Sequence, residues 1–171
     1  MCIVSWNVRR LGSAAKQQGV RDLLRKQHCD MAILLESKWE VATQLLVAKV
    51  WPGDVFDFAF ATSVGARGGI LVVWHSSRFC LDFSGILAHC VVMKGSWVVD
   101  NFSCGLMAVY APCGTKEKFA LWGELGLYLE ERRDWAWCVA GDFNATRWAS
   151  ERRGCTSLSQ GMNKLFHSYF A

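Results

Sequence analysis

Proline is nearly missing from this sequence: Pro52 and Pro112 are the only two in 171 residues. With so few chain breakers, and with no low-complexity tract, internal repeat or linker-like stretch, disorder and multiple domains are excluded, and one domain over residues 1–171 is expected. Long apolar runs are missing too. None approaches the ~18 uncharged residues needed to cross a bilayer. The apolar opening at residues 1–6 is cut off by Asn7, Arg9 and Arg10 far short of a signal peptide's core. A soluble intracellular protein with no membrane partner is therefore expected. A strong excess of either charge is also lacking. The net charge is +4, and the 19 Lys and Arg are dispersed in short clusters such as Arg9-Arg10 and Arg132-Arg133. That balance accommodates a phosphate-bearing partner without requiring one.

The eight cysteines include no C-x-x-C pair, which argues against a zinc or redox centre. Most lie inside apolar runs, so buried, reduced thiols are expected. His28-Cys29 and His89-Cys90 are adjacent pairs, and adjacent residues on a strand point to opposite faces, which makes them poor joint ligands.

What the sequence does have is apolar bulk: 52% hydrophobic residues with nine Trp and ten Phe, enough for a sizeable core. Residues 2–6 form a short run of β-formers, and Val20, Leu23 and Leu24 mark a helix after a polar loop. Residues 31–35 read as a strand buried on both faces, and residues 41–50 as a second helix. Between residues 55 and 111 come short apolar runs at 56–61, 70–74, 79–83, 88–93, 97–102 and 106–110. They are separated by turn signals at Gly65, Gly68-Gly69, Ser76-Ser77 and Gly95-Ser96. Antiparallel strands are expected there. Phe119, Trp122, Leu125 and Leu129 mark another helix, residues 135–140 another strand, and Met162, Leu165, Phe166, Tyr169 and Phe170 a last helical stripe. Strands mixed with covering helices predict an α/β architecture of two mainly antiparallel sheets packed face to face, helices outside.

Polar side chains at the ends of buried strands are held at fixed places on the edge of a core, which suits a functional site. Asn7, Glu36, Tyr110, Asp142 and Asn144 stand at such ends. If the ends converge, two carboxylates, two amides and a phenol meet. An oxygen-rich set of that kind suits a hard ion such as Mg²⁺, and a hard ion suits phosphate ester cleavage. Each residue alone also has an ordinary reading: the asparagines as turn formers, Glu36 as a solvated strand end, Asp142 as a cap, Tyr110 as core.

Five segments taken in order go further. Ser5-Trp6-Asn7-Val8-Arg9-Arg10-Leu11-Gly12 resembles the opening W-N-V-R-G-L-G of the endonucleases of plant LINE-type (non-LTR) retrotransposons, with Arg10 where that pattern has glycine. Leu34-Leu35-Glu36-Ser37-Lys38 is similar to their L-Q-E-T-K, Gly68-Gly69-Ile70-Leu71 to G-G-I-L, and Val109-Tyr110-Ala111-Pro112 to V-Y-A/G-P. Gly141-Asp142-Phe143-Asn144, with Ser150-Glu151-Arg152 downstream, is similar to G-D-F-N and S-E-R. These endonucleases belong to the endonuclease/exonuclease/phosphatase superfamily. The resemblance implies a four-layered α/β sandwich and hydrolysis of a DNA phosphodiester with Mg²⁺, or Mn²⁺ in its place.

Carried over by position, Glu36 would bind the metal with Asn7 beside it orienting that site. Tyr110 would stabilise phosphoryl charge, Asp142 would align or deprotonate water, and Asn144 would hold the phosphate. Arg9, Arg147 and Arg152 become candidates for backbone phosphates. The resemblance also implies further strands and an S-D-H motif that the 171 residues do not contain, and His167 does not replace it. The expectation is an endonuclease domain lacking its last strands, poorly soluble, weakly active or inactive, and nuclear if it acts on a genome. The alternative is a non-catalytic remnant binding nucleic acid or protein. Relatives acting on inositol phosphates or sphingomyelin make a third reading, which the W-N-V-R and S-E-R contexts disfavour.

Overall fold

The computed structural model describes residues 1–63 and 68–146. Among the described residues eleven elements run in the order β1 (Ile3–Asn7), α1 (Ala14–Lys26), β2 (Met31–Leu35), α2 (Gln44–Val47), β3 (Asp57–Ala61), β4 (Ile70–Trp74), β5 (Phe79–Leu87), β6 (Cys90–Trp97), β7 (Phe102–Tyr110), α3 (Thr115–Glu130) and β8 (Ala136–Asp142). They build two four-stranded sheets, ordered β1-β2-β4-β3 and β5-β6-β7-β8. Both sheets are mixed. β1 pairs with β2 in parallel and β7 with β8 in parallel, and the remaining pairs are antiparallel. A parallel pair needs a crossover, and each has a helix to supply it, α1 in one sheet and α3 in the other.

Period-two alternation along the central strands sorts the core into three layers of contact. Met31, Ile33 and Leu35 of β2 and Ile70, Val72 and Trp74 of β4 face the second sheet, meeting Val91, Met93, Leu106 and Ala108. The intervening Ala32, Leu34, Leu71 and Val73 face outward beneath Val20 and Leu24 of α1 and Trp51. On the far side Val92, Met107 and Val109 lie under Leu121, Trp122 and Leu125 of α3. The result is helix, sheet, sheet, helix, the four-layered sandwich. β2 and β4 are buried along their whole length, as continuous apolar runs must be when both faces are covered.

Local signals account for the helix starts. Ser13 caps α1 by accepting from the Lys16 amide at 3.4 Å, and Arg25 and Lys26 sit in its last turn, where the carbonyl end favours cations. Away from the strand ends that carry the candidate residues, Asp30 is 5% exposed. It accepts from the Cys2 amide at 2.8 Å and from Arg78 Nη1 at 2.6 Å, pinning the chain's first residues to the start of β2.

Several expectations shift. The helix expected over 41–50 shrinks to Gln44–Val47, capped by Thr43, because the next residues form a turn leading to Pro52. No strand spans 97–102: Trp97 ends β6, Phe102 begins β7, and residues 98–101 turn between them with Asn101 at φ 51°. Gly95-Ser96 is not a turn but strand interior. Gly95 serves a close approach, since a Cβ there would lie 2.2 Å from the Cys80 carbonyl oxygen and 2.6 Å from the Phe79 ring. The expectation of buried thiols holds for Cys29, Cys90 and Cys104, whereas Cys80, Cys113 and Cys138 are exposed. Burial pushes the Cys29 thiol up to about 11 and the Cys90 thiol up to about 12, which keeps both inert. The expected turn at Gly65 and the stripe from Met162 to Phe170, with His167, lie outside the described residues. No helix among the described residues is long and apolar enough to cross a membrane.

Because the atom nearest the missing Gly95 Cβ is backbone, Gly95→Ala should lower stability by ~1–3 kcal/mol through overpacking. A urea melt would show the midpoint falling at constant slope. An unchanged midpoint would mean that β5 and β6 are not this close.

Candidate active site

The two parallel pairs decide where the polar strand ends lie. Register places Asn7 opposite Leu35 and Tyr110 opposite Asp142, so the carboxyl ends of β1, β2, β7 and β8 finish at one edge of the sandwich. β1 also lies against β8 across the two sheets. The candidates from both sheets therefore meet.

Asn7 Nδ2 donates to Glu36 Oε1 at 2.7 Å and to Asp142 Oδ2 at 2.9 Å. Its Oδ1 accepts from the Arg9 amide at 3.1 Å. Tyr110 OH donates to the same Glu36 Oε1 at 3.0 Å. Asp142 Oδ1 accepts from the Asn144 amide at 2.9 Å, and Asn144 Nδ2 donates to the Ala111 carbonyl at 2.6 Å. All five side chains are half-buried. Burial and the hydrogen bond to Glu36, together with the charges of Glu36 and Asp142, push the Tyr110 phenol up to about 12. It stays protonated and remains a donor throughout the neutral range.

The backbone around these residues is unusually contorted. Arg9 (φ 46°), Arg10 (φ 83°), Glu36 (φ 56°), Lys38 (φ 57°) and Asn144 (φ 46°) all take positive φ, a concentration typical of functional sites. The contortion is held by backbone bonds from Arg10 N to Glu36 O at 2.6 Å, Leu11 N to Ser37 O at 3.0 Å and Lys38 N to Gly68 O at 2.9 Å. Gly68 lies over Glu36 so closely that a Cβ would come within 2.6 Å of the Glu36 Cγ. Gly141 (φ 149°) leaves no room either, its missing Cβ falling 1.9 Å from the Val109 carbonyl oxygen. The Gly-Gly and Gly-Asp dipeptides therefore carry a steric meaning.

Arg9 is exposed beside the cluster, whereas Arg147 and Arg152 lie outside the described residues. Sequence reasoning missed Lys118. It lies on α3, is 4% exposed, and its Nζ donates to the Asn144 carbonyl at 2.5 Å, tethering the turn that carries Asp142 and Asn144. The available signal was its place on the apolar side of α3, one residue before Phe119, where a lysine is out of pattern.

The donor set fits a hard divalent cation. Both hydrogen bonds to Glu36 fall on Oε1, and among the described residues no group donates to Oε2. Glu36 and Asp142 supply oxygen, which Mg²⁺ accepts from one or two carboxylates while keeping several waters. Among the described residues no three His, Cys, Asp or Glu cluster as a dedicated metal cage.

Comparison with known proteins gives a consistent result. The sequence matches the Endonuclease/Exonuclease/phosphatase family over residues 4–162. Among solved structures, the AP endonuclease LMAP from Leishmania major is similar at TM-score 0.70 and 16% identity, covering 90% of this chain and 58% of that one. A humanized TDP2 from D. rerio gives TM-score 0.63 at 16% identity over 84% of this chain and 62% of its own. A mannosyl-6-phosphatase from Bacteroides thetaiotaomicron gives TM-score 0.64 at 11% identity over 83% and 64%. The chain thus spans less than two thirds of the length of each. Among curated proteins none matches.

Two substitutions test the geometry. Arg10→Gly should relieve ~1 kcal/mol of backbone strain and raise Tm by ~2–4 °C for a chain of this size; a lower Tm would show that the arginine side chain contributes more than its backbone costs. Lys118→Met keeps the buried stem but leaves the Asn144 carbonyl unsatisfied, which should cost ~1–3 kcal/mol, read by the same thermal melt.

Proposed function

Because this chain belongs to the Endonuclease/Exonuclease/phosphatase family, we propose that it is a metal-dependent phosphodiester hydrolase acting on DNA, of the kind found in plant LINE-type retrotransposons. The observation that carries the reading is the bridge from Asn7 to both Glu36 and Asp142, which joins the two sheets at one polar edge with Tyr110 alongside. The DNA partner is supported by the five sequence segments and by the name of one structural neighbour, an AP endonuclease. A role on genomic DNA would place the protein in the nucleus.

A divalent cation held at Glu36, Mg²⁺ or Mn²⁺, would neutralise phosphoryl charge and favour ionisation of water. The chain's own groups supply the rest. Asn7 orients the Glu36 carboxylate through Nδ2, and its Oδ1, which accepts from the Arg9 amide, keeps a second lone pair for the same cation. Asp142 has lone pairs beyond its two hydrogen bonds and takes the proton of a water that adds to phosphorus as the bond from phosphorus to the leaving oxygen breaks. Tyr110, kept protonated, turns its single O–H from Glu36 Oε1 to a phosphoryl oxygen when substrate is bound. Asn144 has a second amide hydrogen beyond the one given to Ala111, available to the phosphate. Arg9 is an exposed cation beside the cluster for the flanking backbone; Arg147 and Arg152 are proposed for the same contacts from sequence alone.

Supercoiled plasmid tests this directly. Nicking is expected in Mg²⁺, abolished by EDTA, and lost in a Glu36→Ala/Asp142→Ala double variant. Removal of a positioned acid–base group costs ~10²–10⁴-fold. Nicking that persists in the double variant would overturn the assignment of these residues. No nicking by folded protein would favour a remnant that binds nucleic acid or protein without cleaving.

A further inference from the structure

A cavity of about 110 Å³ lies near the starts of β2, β7 and β8, at the end of the sandwich away from Glu36 and Asp142. Its walls include Met31, Phe79, Trp97, Cys104, Leu106 and Cys138. Among the described residues that line it, no side chain carries oxygen, and the only nitrogens belong to tryptophan, which donates and does not accept. The electron-pair donors are sulfur. Register explains how they meet. Cys104 pairs with Ala136 and Cys138 with Leu106, so the cysteines stand two steps apart on neighbouring parallel strands. Directly paired residues share a face, and Cys104 and Leu106 both belong to the core between the sheets. Cys138 therefore points into that core too, and Met31 reaches it from β2, which lies against β8.

Spacing decides what two such thiols can do. Strands about 4.8 Å apart, rising about 3.3 Å per residue, put the two Cα atoms roughly 8 Å apart. A disulfide does not bridge Cα atoms more than ~7 Å apart without backbone movement. Two thiolate–metal bonds of about 2.3 Å span farther than one sulfur–sulfur bond of about 2.05 Å. A structural zinc site takes four nitrogen, sulfur or oxygen ligands, and among the described residues no third His, Cys, Asp or Glu joins this pair. Thiolate together with thioether selects Cu(I). We infer that this cavity is a binding site for a soft monovalent metal ion, Cu(I), held by the Cys104 and Cys138 sulfurs with the Met31 thioether as a third ligand. Burial pushes the Cys104 thiol up, a hydrogen bond with Trp97 partly offsets it, and the nearby Cys138 adds to the rise. Cys138 is exposed as a residue, yet its neighbours crowd the thiol enough to raise it as well. Both thiols are therefore protonated at neutral pH, and each ion bound releases two protons. Affinity climbs by up to about a hundredfold per pH unit.

The test is anaerobic competition for Cu(I) between the chain and a chromophoric Cu(I) chelator, followed by absorbance. The unaltered chain should withhold one equivalent, more tightly at pH 8 than at pH 6. Cys138→Ala, at an exposed position where folding is safe, should lose that equivalent, and so should Cys104→Ala. Met31→Leu, close to isosteric, should weaken binding without abolishing it. Cys80→Ser/Cys113→Ser should keep the equivalent, since those thiols lie outside the cavity. A full equivalent retained by Cys138→Ala, affinity independent of pH, or Zn²⁺ displacing Cu(I) from the unaltered chain would overturn the site. Glu36→Ala should bind Cu(I) as the unaltered chain does, so failure of the hydrolase reading leaves this result untouched.

Discussion

The side-chain amide of Asn7 is the interaction on which the rest depends. One nitrogen donates to a carboxylate of each sheet, Glu36 following β2 and Asp142 ending β8. The two acceptor oxygens are therefore held no farther apart than the two bonds allow. Hydrogen bonds to charged groups contribute ~1.5–3 kcal/mol each, and partial exposure lowers that here. Their larger effect is geometric. Without the bridge, two like charges at the rim of a sandwich would turn away from each other into water.

That bridge is possible because each sheet contains one parallel pair. A purely antiparallel sheet would send neighbouring strand ends in opposite directions. The crossovers through α1 and α3 bring four carboxyl ends to one edge, where turns with positive φ at Arg9, Glu36 and Asn144 re-aim the chain. The strain is tolerated because the flanking segments are over-determined: Leu11, Val8 and Ala111 are buried on one side, and the glycines at 68 and 141 remove the Cβ atoms that would collide.

Much of this was legible in the sequence. The runs at β2 and β4 gave their own boundaries, since a strand covered on both faces is apolar without interruption. The clustering of Asn7, Glu36, Tyr110, Asp142 and Asn144 was legible through the segments that carry them and not through composition. What misled was glycine. Gly95 marks a close approach inside a strand, yet its dipeptide with Ser96 has the composition of a turn. The true turn at 98–101 contains two valines and offers weak local chemistry apart from Asp100-Asn101. Lys118 escaped notice because its partner is a backbone carbonyl 26 residues away, which no pattern records.

The central claim is that Glu36, steadied by Asn7 and Tyr110, holds a divalent cation beside Asp142. Thermal unfolding of the chain across a Mg²⁺ titration tests it most directly. Selective binding to the folded state stabilises by ~2.7 kcal/mol at a hundredfold excess over Kd, which is a Tm rise of roughly 5–11 °C for a chain of this size. The account predicts that rise, its reversal by EDTA and its loss in Glu36→Gln. A Tm that does not move with Mg²⁺ or Mn²⁺, or one that moves equally in Glu36→Gln, would contradict it.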